Sequence, residues 1–194
     1  MKKNPFGKRG DFITAPNISR LFSEMIAIWI ISFWQSLGCP KKFNLIELGA
    51  GNGEMIKIII ESFKNFPSIL NYCNFIIYEK SPFLRKIQKK KLTDNKVIWI
   101  SKFNKIKKYP SIFIANEFFD ALAIKQFKKR KNLWFEKYVN LKDLNKAFFY
   151  EKKTDIKKIE KKINYKISHN QNFVEYSALG LSYLKDISRI IKKN

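Results

Sequence analysis

The sequence predicts an α/β fold built on a doubly wound, mainly parallel sheet, with an inserted antiparallel hairpin or meander. Two observations support this fold class. Short apolar runs typical of buried strands alternate with amphipathic helical stretches, which is the pattern of a parallel sheet covered on both faces. A glycine-rich turn also joins the first apolar run to the helix that follows it. With 194 residues, 45% of them hydrophobic, the chain can build one domain with a genuine core.

The N-terminal part predicts a loop followed by a long helix. Residues 7–16 are rich in glycine and polar side chains, and a loop that leads into a helix N-terminus is a natural place for ligand contacts. Apolar residues then recur at helical spacing over residues 17–37, with Pro16 at the start and Gly38 at the stop. We expect a largely buried helix whose apolar positions are Leu21, Phe22, Met25, Trp29, Phe33 and Leu37.

The middle of the chain predicts the parallel sheet. The expected strands lie at 43–48, 75–79, 97–100 and 111–116. Between them we expect helices at 54–66 and 82–91, the first with Met55, Ile58, Ile59 and Phe63 facing inward.

After residue 120 the pattern changes to short apolar runs separated by charged turns. The runs at 124–127, 134–139 and 147–150 predict the hairpin or meander. A short amphipathic helix within the Lys-rich residues 151–167 and a final helix at 178–191 follow. The expected organisation is an N-terminal loop and helix (1–42), a cofactor-binding core (43–123), and a segment with the insertion, the Lys-rich part and the last helix (124–194).

Composition restricts the chemistry. The chain carries 39 Lys and Arg against 16 Asp and Glu, a net charge of +23, which attracts acidic partners but is spread along the whole chain. Two distant cysteines and the single His169 argue against a disulfide framework, a metal site and nucleophilic triads, and they fit a reducing compartment. The first residues lack the apolar stretch of a secretory signal, so we expect none. The most apolar stretch has about half the ~20 residues that a transmembrane helix needs, so we expect no membrane span.

A glycine loop with two nearby carboxylates carries the functional signal. Residues 47–53 read Glu-Leu-Gly-Ala-Gly-Asn-Gly at a strand-to-helix junction, where doubly wound folds bind their ligands. The G-x-G-x-G spacing departs from the dinucleotide fingerprint, so a nicotinamide cofactor is disfavoured. Glu47 suits a ligand ammonium, and Glu79 ends the next strand near the offset at which an acid binds ribose. The simpler alternative is a plain structural turn. The proposed cofactor contacts are Glu47, Gly49, Ala50, Gly51, Asn52, Gly53, Glu79 and Ser101.

Three segments together resemble the MidA family of S-adenosylmethionine-dependent methyltransferases. They are residues 10–22, with Gly-Asp-Phe-Ile-Thr-Ala-Pro at their start, residues 47–53, and residues 116–122, Asn-Glu-Phe-Phe-Asp-Ala-Leu. Glu79-Lys80-Ser81-Pro82, Leu84-Arg85 and Gln88 extend the resemblance. It implies a Rossmann-like class I methyltransferase fold, S-adenosyl-L-methionine as cofactor and methyl transfer to an arginine of a protein, in the mitochondrial member a respiratory complex I subunit. The location would then be the bacterial cytoplasm or the mitochondrial matrix.

The resemblance also suggests residues around the acceptor. An arginine is charged at neutral pH, so a methylating site needs carboxylates that orient the guanidinium and accept its proton. Glu117 and Asp120, just past the fourth strand, suit that role, and Asn116 suits an orienting amide; helix capping is the alternative for both acids. Asp11 and Thr14 are placed as a lid over cofactor or substrate, or in a loop that merely positions the long helix. Trp99 and Ser101 would flank the adenine, unless Trp99 belongs to the core.

Two other functions remain open at this stage. A nucleic-acid N-methyltransferase would suit the positive charge, but residues 116–119 lack the two prolines that such enzymes commonly show after the fourth strand. A noncatalytic remnant that acts as a binding or assembly protein is the other alternative, because family members extend further in both directions. We therefore expect a truncated member with an incomplete sheet, whose open edge is covered by the meander or left for pairing.

Overall fold

The computed structural model describes residues 13–93, 96–142, 146–167 and 169–191. Helices and strands alternate through the first part of the chain, and strands dominate the part after residue 124. No helix in these described ranges is long and apolar enough to cross a membrane. In chain order the elements are α1 (Ala15–Ile18), α2 (Arg20–Ser36), β1 (Phe43–Leu48), α3 (Glu54–Phe63), α4 (Pro67–Tyr72), β2 (Cys73–Tyr78), α5 (Pro82–Lys91), β3 (Val97–Ile100), β4 (Ser111–Ile114), β5 (Lys125–Arg130), β6 (Leu133–Lys142), β7 (Lys146–Thr154), α6 (Ile156–Ile163), β8 (Phe173–Tyr176) and α7 (Ala178–Ile191).

The chain forms two compact units. The first comprises Met1–Ala121 and Tyr183–Asn194, and the second comprises Leu122–Ser182. The boundary after Ala121 is close to the change of pattern at residue 120. The three-part organisation expected from the sequence stays a prediction.

The first unit contains a four-stranded parallel sheet in the order β3-β2-β1-β4. The chain moves outward from β1 through β2 to β3 and then returns to place β4 on the other side of β1. The strand order therefore reverses between β1 and β4, and ligands of doubly wound folds bind outside the carboxyl ends of the strands at such a point. Glu47 pairs with Ile114 across this junction. The predicted parallel sheet is confirmed.

Burial explains why these segments form the central layers. All six residues of β1 are buried, as expected for a strand covered on both faces. In α3 the four predicted inward residues are buried, and α3 packs with α2 on one face of the sheet. Ser81 caps α5 by accepting a hydrogen bond from the Leu84 N–H at 3.3 Å, with Pro82 in the first turn.

An aromatic cluster lies at the carboxyl end of β2. Tyr78, the last residue of β2, stacks on Phe103 with ring centroids 4.6 Å apart. Tyr183 of α7 and Phe118 contact the same cluster, their centroids 5.2 Å from each other. Burial and the neighbouring Tyr183 raise the pKa of Tyr78 to about 12, so this phenol stays protonated. These contacts fix the position of Phe118 beside the glycine loop.

The N-terminal helix differs from the prediction in two ways. The expected single helix over residues 17–37 is two helices, because Ser19 has extended backbone angles between α1 and α2. The expected buried face is also largely wrong. Leu21, Met25, Trp29, Phe33 and Leu37 are exposed, and of the expected positions Phe22 packs against the core. The structure buries the face that carries Ser23, Ala27, Ile30, Ile31 and Trp34. The helix is apolar on most sides, so spacing alone does not select a face. The small side chains of Ser23 and Ala27 lie on the buried side, where two helices approach closely.

The second unit is an antiparallel sheet in the order β7-β6-β5-β8. Its three consecutive strands confirm the predicted meander, although they are longer than the apolar runs that predicted them. The fourth strand, β8, was not predicted; it pairs with β5 through partners such as Lys125 and Tyr176, which are distant in sequence. The predicted helices α6 and α7 are present, with Asp155 capping α6 by accepting from the Lys157 N–H at 3.0 Å.

Candidate functional site

A cavity of about 380 Å³ lies where β1 and β4 end, at the reversal of strand order. A volume of this size is at the lower end of typical small-molecule sites. Three segments form its walls: the N-terminal residues before and in α1, the glycine loop with the first turn of α3, and the residues after β4. Its lining residues are Thr14, Pro16, Asn17, Glu47, Gly49, Ala50, Gly51, Asn52, Glu54, Met55, Asn116, Glu117, Asp120 and Ala121.

Glu47 lies in the buried wall of this cavity. Its side chain is 3% exposed, and its Oε2 has no hydrogen-bond partner among the described residues. Burial raises the pKa of Glu47 to about 8, against a smaller opposing effect from a hydrogen bond with the backbone of Ile56 in the first turn of α3. An unpartnered, fully buried carboxyl oxygen is costly unless a ligand donates to it. Glu47 therefore indicates a cationic or donor group of a ligand.

The glycine loop adopts backbone angles that favour glycine. Gly49, Gly51 and Gly53 all have positive φ, at 64°, 54° and 80°, and Gly53 is the N-cap of α3. Position 49 requires glycine because of the protein's own packing: a Cβ there would lie 2.6 Å from Cδ2 of Phe118. The sequence alone assigned this glycine to ligand approach; the structure adds an aromatic ring that needs the same space.

Asn52 ties the glycine loop to the N-terminal segment. Its Nδ2 donates to Asn17 Oδ1 at 2.7 Å, and its Oδ1 accepts from the Glu54 N–H at 3.2 Å. Asn17 in turn donates to Thr14 Oγ1 at 2.9 Å. Thr14 thus lies at the cavity, as the lid hypothesis requires, whereas Asp11 falls outside the described residues. Two walls of the cavity are held together by three side chains.

The residues after β4 form the third wall. Asn116, Glu117 and Asp120 all line the cavity, so the structure brings the three proposed acceptor-binding side chains together. Glu117 has a φ of 51°, a conformation that costs a non-glycine residue energy and that occurs preferentially at functional sites. Asp120 Oδ1 accepts from the N–H of Ala121 at 3.0 Å, which is a local turn contact and leaves its other oxygen for a ligand.

Three proposed cofactor residues do not line the cavity. Gly53 caps α3, and Ser101 is exposed beyond the end of β3. Glu79 is 7% exposed; its Oε1 accepts from the Ser81 N–H at 2.8 Å and its Oε2 from Gln88 Nε2 at 3.2 Å. Gln88 Nε2 also donates to the Gly51 carbonyl oxygen at 2.9 Å, so one side chain joins Glu79, which directly follows β2, to the glycine loop. Trp99 packs against the core, in agreement with the structural alternative.

Several lining residues were not proposed from the sequence. Pro16 was interpreted as the end of the N-terminal loop, Asn17 as the start of a helix and Met55 as a core position. Glu54 lines the cavity from the first turn of α3 and forms an ion pair with Lys91 of α5. Sequence position was the available signal, because each of these residues lies within three positions of a proposed site residue.

The parallel sheet and the crevice at its strand reversal define a Rossmann-like α/β unit of the class that binds nucleoside cofactors. The chain belongs to a family of S-adenosyl-L-methionine-dependent methyltransferases, whose sequence profile it matches over residues 25–194. This match confirms the resemblance to MidA-type methyltransferases and the cofactor of the family.

Curated relatives point to the same family. The mitochondrial protein arginine methyltransferase NDUFAF7 of Xenopus tropicalis is 33% identical over 165 residues, covering 73% of this chain and 38% of the relative. The Homo sapiens protein of that name is 32% identical over 163 residues, covering 72% and 37%. The Drosophila melanogaster homolog is 28% identical over 163 residues. The chain therefore spans less than half the length of these relatives.

Solved structures show the same fold. The crystal structure of a Burkholderia thailandensis protein bound to S-adenosyl-homocysteine superposes with a TM-score of 0.74 at 18% identity, over 96% of this chain and 49% of the other. A native crystal structure of a protein from that organism gives 0.72 at 18% identity, over 94% and 49%. The Rossmann-like α/β fold predicted from the sequence is confirmed.

Proposed function

We propose that this chain binds S-adenosyl-L-methionine in the cavity between β1 and β4 and transfers its methyl group to an arginine of a protein. The observation that carries the proposal is Glu47, a fully buried carboxyl at the glycine loop, one of whose oxygens has no partner in the described part of the chain, in a family defined by this cofactor. The cofactor supplies an activated methyl group on a sulfonium, so the protein chiefly has to align donor and acceptor.

The residues present fit the cofactor. Glu47 would accept hydrogen bonds from the ammonium of its methionine part, which satisfies the orphaned oxygen. Gly51 and Asn52 line the cavity and would present the backbone of the loop to the adenosyl part. Glu79, joined to Gly51 through Gln88, would accept from the ribose hydroxyls beside the loop.

The third wall of the cavity would hold the acceptor. Glu117 and Asp120 would pair with the guanidinium and Asn116 would orient it through its amide. The bound cofactor would supply the methyl group and leave as S-adenosyl-homocysteine, and the guanidinium nitrogen that accepts the methyl group would have to lose a proton. Glu117 or Asp120 would accept that proton. The backbone strain at Glu117 fits a side chain held in place for this role.

The protein acceptor is favoured by the relatives, whose names state protein arginine methyltransferase. The net charge of +23 favours nucleic acid as the second candidate acceptor. The third candidate is a noncatalytic binding or assembly protein that keeps the cavity. We place the activity in a reducing compartment, the bacterial cytoplasm or the mitochondrial matrix.

Calorimetric titration with S-adenosyl-L-methionine tests the proposal first. We expect the wild-type protein to bind the cofactor and Gly51→Arg not to bind it, because the new side chain fills the cavity. The control is Asn132→Arg, in an exposed turn, which adds the same charge and should keep binding. Absence of binding by the folded wild-type protein would refute the proposal.

Methyl transfer separates the three candidates. With radiolabelled cofactor and a cell extract, label that protease removes and nuclease does not supports a protein acceptor, and the reverse pattern supports nucleic acid. Glu117→Gln with Asp120→Asn should lower transfer by about 100-fold or more while cofactor binding is kept. Cofactor binding without any transfer would favour the noncatalytic protein.

A further inference from the structure

Gln88 is a completely buried polar side chain that joins three elements of the first unit. It lies on α5 with 0% exposure, and its amide contacts the glycine loop, Glu79, which directly follows β2, and Trp99 of β3. We propose that Gln88 is a positioning residue that holds the Glu79 carboxylate at the glycine loop in the geometry that recognises the ribose of the cofactor. This inference rests on the proposed cofactor site and assigns a role to a residue outside its lining.

The orientation of the Gln88 amide is fixed by its partners. The Trp99 indole N–H is only a donor, and it lies 3.0 Å from Gln88 Oε1, so the oxygen of the amide must face Trp99. The NH₂ group then faces two acceptors, the Gly51 carbonyl oxygen at 2.9 Å and Glu79 Oε2 at 3.2 Å. Both N–H bonds and the amide oxygen are used. A side chain lacking either function cannot replace it.

Glu79 is held at three points by α5 and its N-cap residue Ser81. Besides Gln88, the Ser81 N–H donates to its Oε1 at 2.8 Å, and Arg85 Nε donates to its backbone carbonyl oxygen at 2.8 Å. Each carboxylate oxygen therefore receives one protein donor and retains a further lone pair for a ligand hydroxyl. These protein donors fix the rotation of the Glu79 side chain before any cofactor is present, which lowers the ordering cost of binding.

The second contact of Gln88 fixes the loop itself. Gly51 lines the cavity in a left-handed conformation, and its carbonyl oxygen accepts from Gln88. Gln88 also packs against the loop end, where a Cβ added to Gly53 would lie 3.5 Å from Gln88 Cγ. One side chain therefore sets the distance between Glu79 and the cavity wall. A change at Gln88 alters cofactor recognition without touching the acceptor residues.

Gln88→Glu is the sharpest test because it keeps the acceptor for Trp99 and removes both N–H donors. The new carboxylate would face Glu79 and the Gly51 carbonyl oxygen, so repulsion should displace Glu79. At low pH the introduced carboxyl is protonated and donates one hydrogen bond again. Charged groups on the same elements include Lys80, next to Glu79, and Arg85, Lys89 and Lys91 of α5; the Lys89 Nζ lies 5.7 Å from the Trp99 ring centroid, and Lys91 pairs with Glu54.

At pH 8 we expect the dissociation constant of S-adenosyl-homocysteine to be roughly 10- to 100-fold higher in Gln88→Glu than in wild type. At pH 6 this increase should shrink to a few-fold. Gln88→Met should weaken binding without this dependence on pH. Gln126→Glu is the matched control, since Gln126 donates to Glu175 at 2.8 Å in an exposed glutamine–glutamate pair of the second unit. This control should bind as the wild type does.

A ribose-specific readout separates positioning from a general loss of structure. Wild-type protein should bind S-adenosyl-homocysteine at least ten times more tightly than its 2′-deoxy analogue, and Gln88→Met should lose most of that discrimination while circular dichroism shows a folded chain. If Gln88→Glu fails to fold, the comparison of ribose discrimination between Gln88→Met and wild type still tests the inference. If wild type binds and both Gln88 variants bind and discriminate equally well, the inference is wrong; if wild type does not bind, the proposed function itself fails.

Discussion

Replacing Glu47 with glutamine removes an ionisable group from the buried wall of the cavity and keeps its shape. The pKa of this carboxyl rises from the ordinary 4.5 to about 8 because burial disfavours its charged form. At 1.36 kcal/mol per pKa unit, this shift corresponds to roughly 5 kcal/mol between the neutral and charged states. Wild-type protein without ligand should carry that cost at alkaline pH, and Glu47→Gln should not.

The direction in which the free energy of unfolding changes with pH follows from proton linkage. Between pH 4.5 and pH 8 the folded protein binds more protons at Glu47 than the unfolded chain does, so folding stability contributed by Glu47 is present below pH 4.5 and is lost as pH rises to about 8. The free energy of unfolding of wild type relative to Glu47→Gln should therefore fall by about 1.4 kcal/mol per pH unit in this window. Urea unfolding at pH 5, 6, 7 and 8 measures it.

The control is Glu24→Gln, an exchange at a half-exposed carboxylate that pairs with Arg20. The free energy of unfolding of this control should differ from that of wild type by less than about 1 kcal/mol at every pH. A second measurement addresses the ligand: at pH 7, binding of S-adenosyl-L-methionine should release close to one proton, seen as a dependence of calorimetric enthalpy on the buffer. A difference between wild type and Glu47→Gln that does not change with pH would refute the assignment of a buried, neutral Glu47.

Three further substitutions test the cavity walls. Gly49→Ala should lower the free energy of unfolding by about 2–4 kcal/mol through the clash with Phe118 and the positive φ, and adding Phe118→Leu should recover part of the loss in urea unfolding. Glu117→Gly should leave thermal stability unchanged or higher while methyl transfer falls; an unchanged transfer rate would remove Glu117 from the site. Asn52→Ala should cost about 1–2 kcal/mol and speed hydrogen exchange around Asn17.

The parallel sheet and the glycine loop were predictable because their signals are local. β1, α5 and β3 match the expected residues, since each apolar run or amphipathic stretch is bounded by a turn or cap residue such as Ser81. β8 was missed because it is only four residues long and depends on pairing with β5, a contact that no local pattern encodes. The sequence predicts a helix or strand best when the residues that stabilise and bound it lie within that element.

The site residues also divide into those with a local sequence signal and those that depend on contacts between separate elements. Glu47 was proposed from its position before the glycine loop, and Asn116, Glu117 and Asp120 were proposed mainly from the family resemblance; all four line one cavity. The relation of Glu79 to the loop could not be predicted, because it runs through Gln88, whose three partners come from separate elements. The buried face of α2 was predicted wrongly for a related reason: the choice between two apolar faces is made by the elements that pack against the helix.

The exposed side of α2 has a practical consequence for anyone who handles this protein. Trp29 and Phe33 stack with ring centroids 5.5 Å apart, and Leu21 and Met25 continue the same surface. Environment-sensitive dyes bind such surfaces, so a folded sample should fluoresce with them before heating begins and give a poor melting curve. Circular dichroism is the better monitor, and mild detergent in the chromatography buffer should sharpen the elution peak.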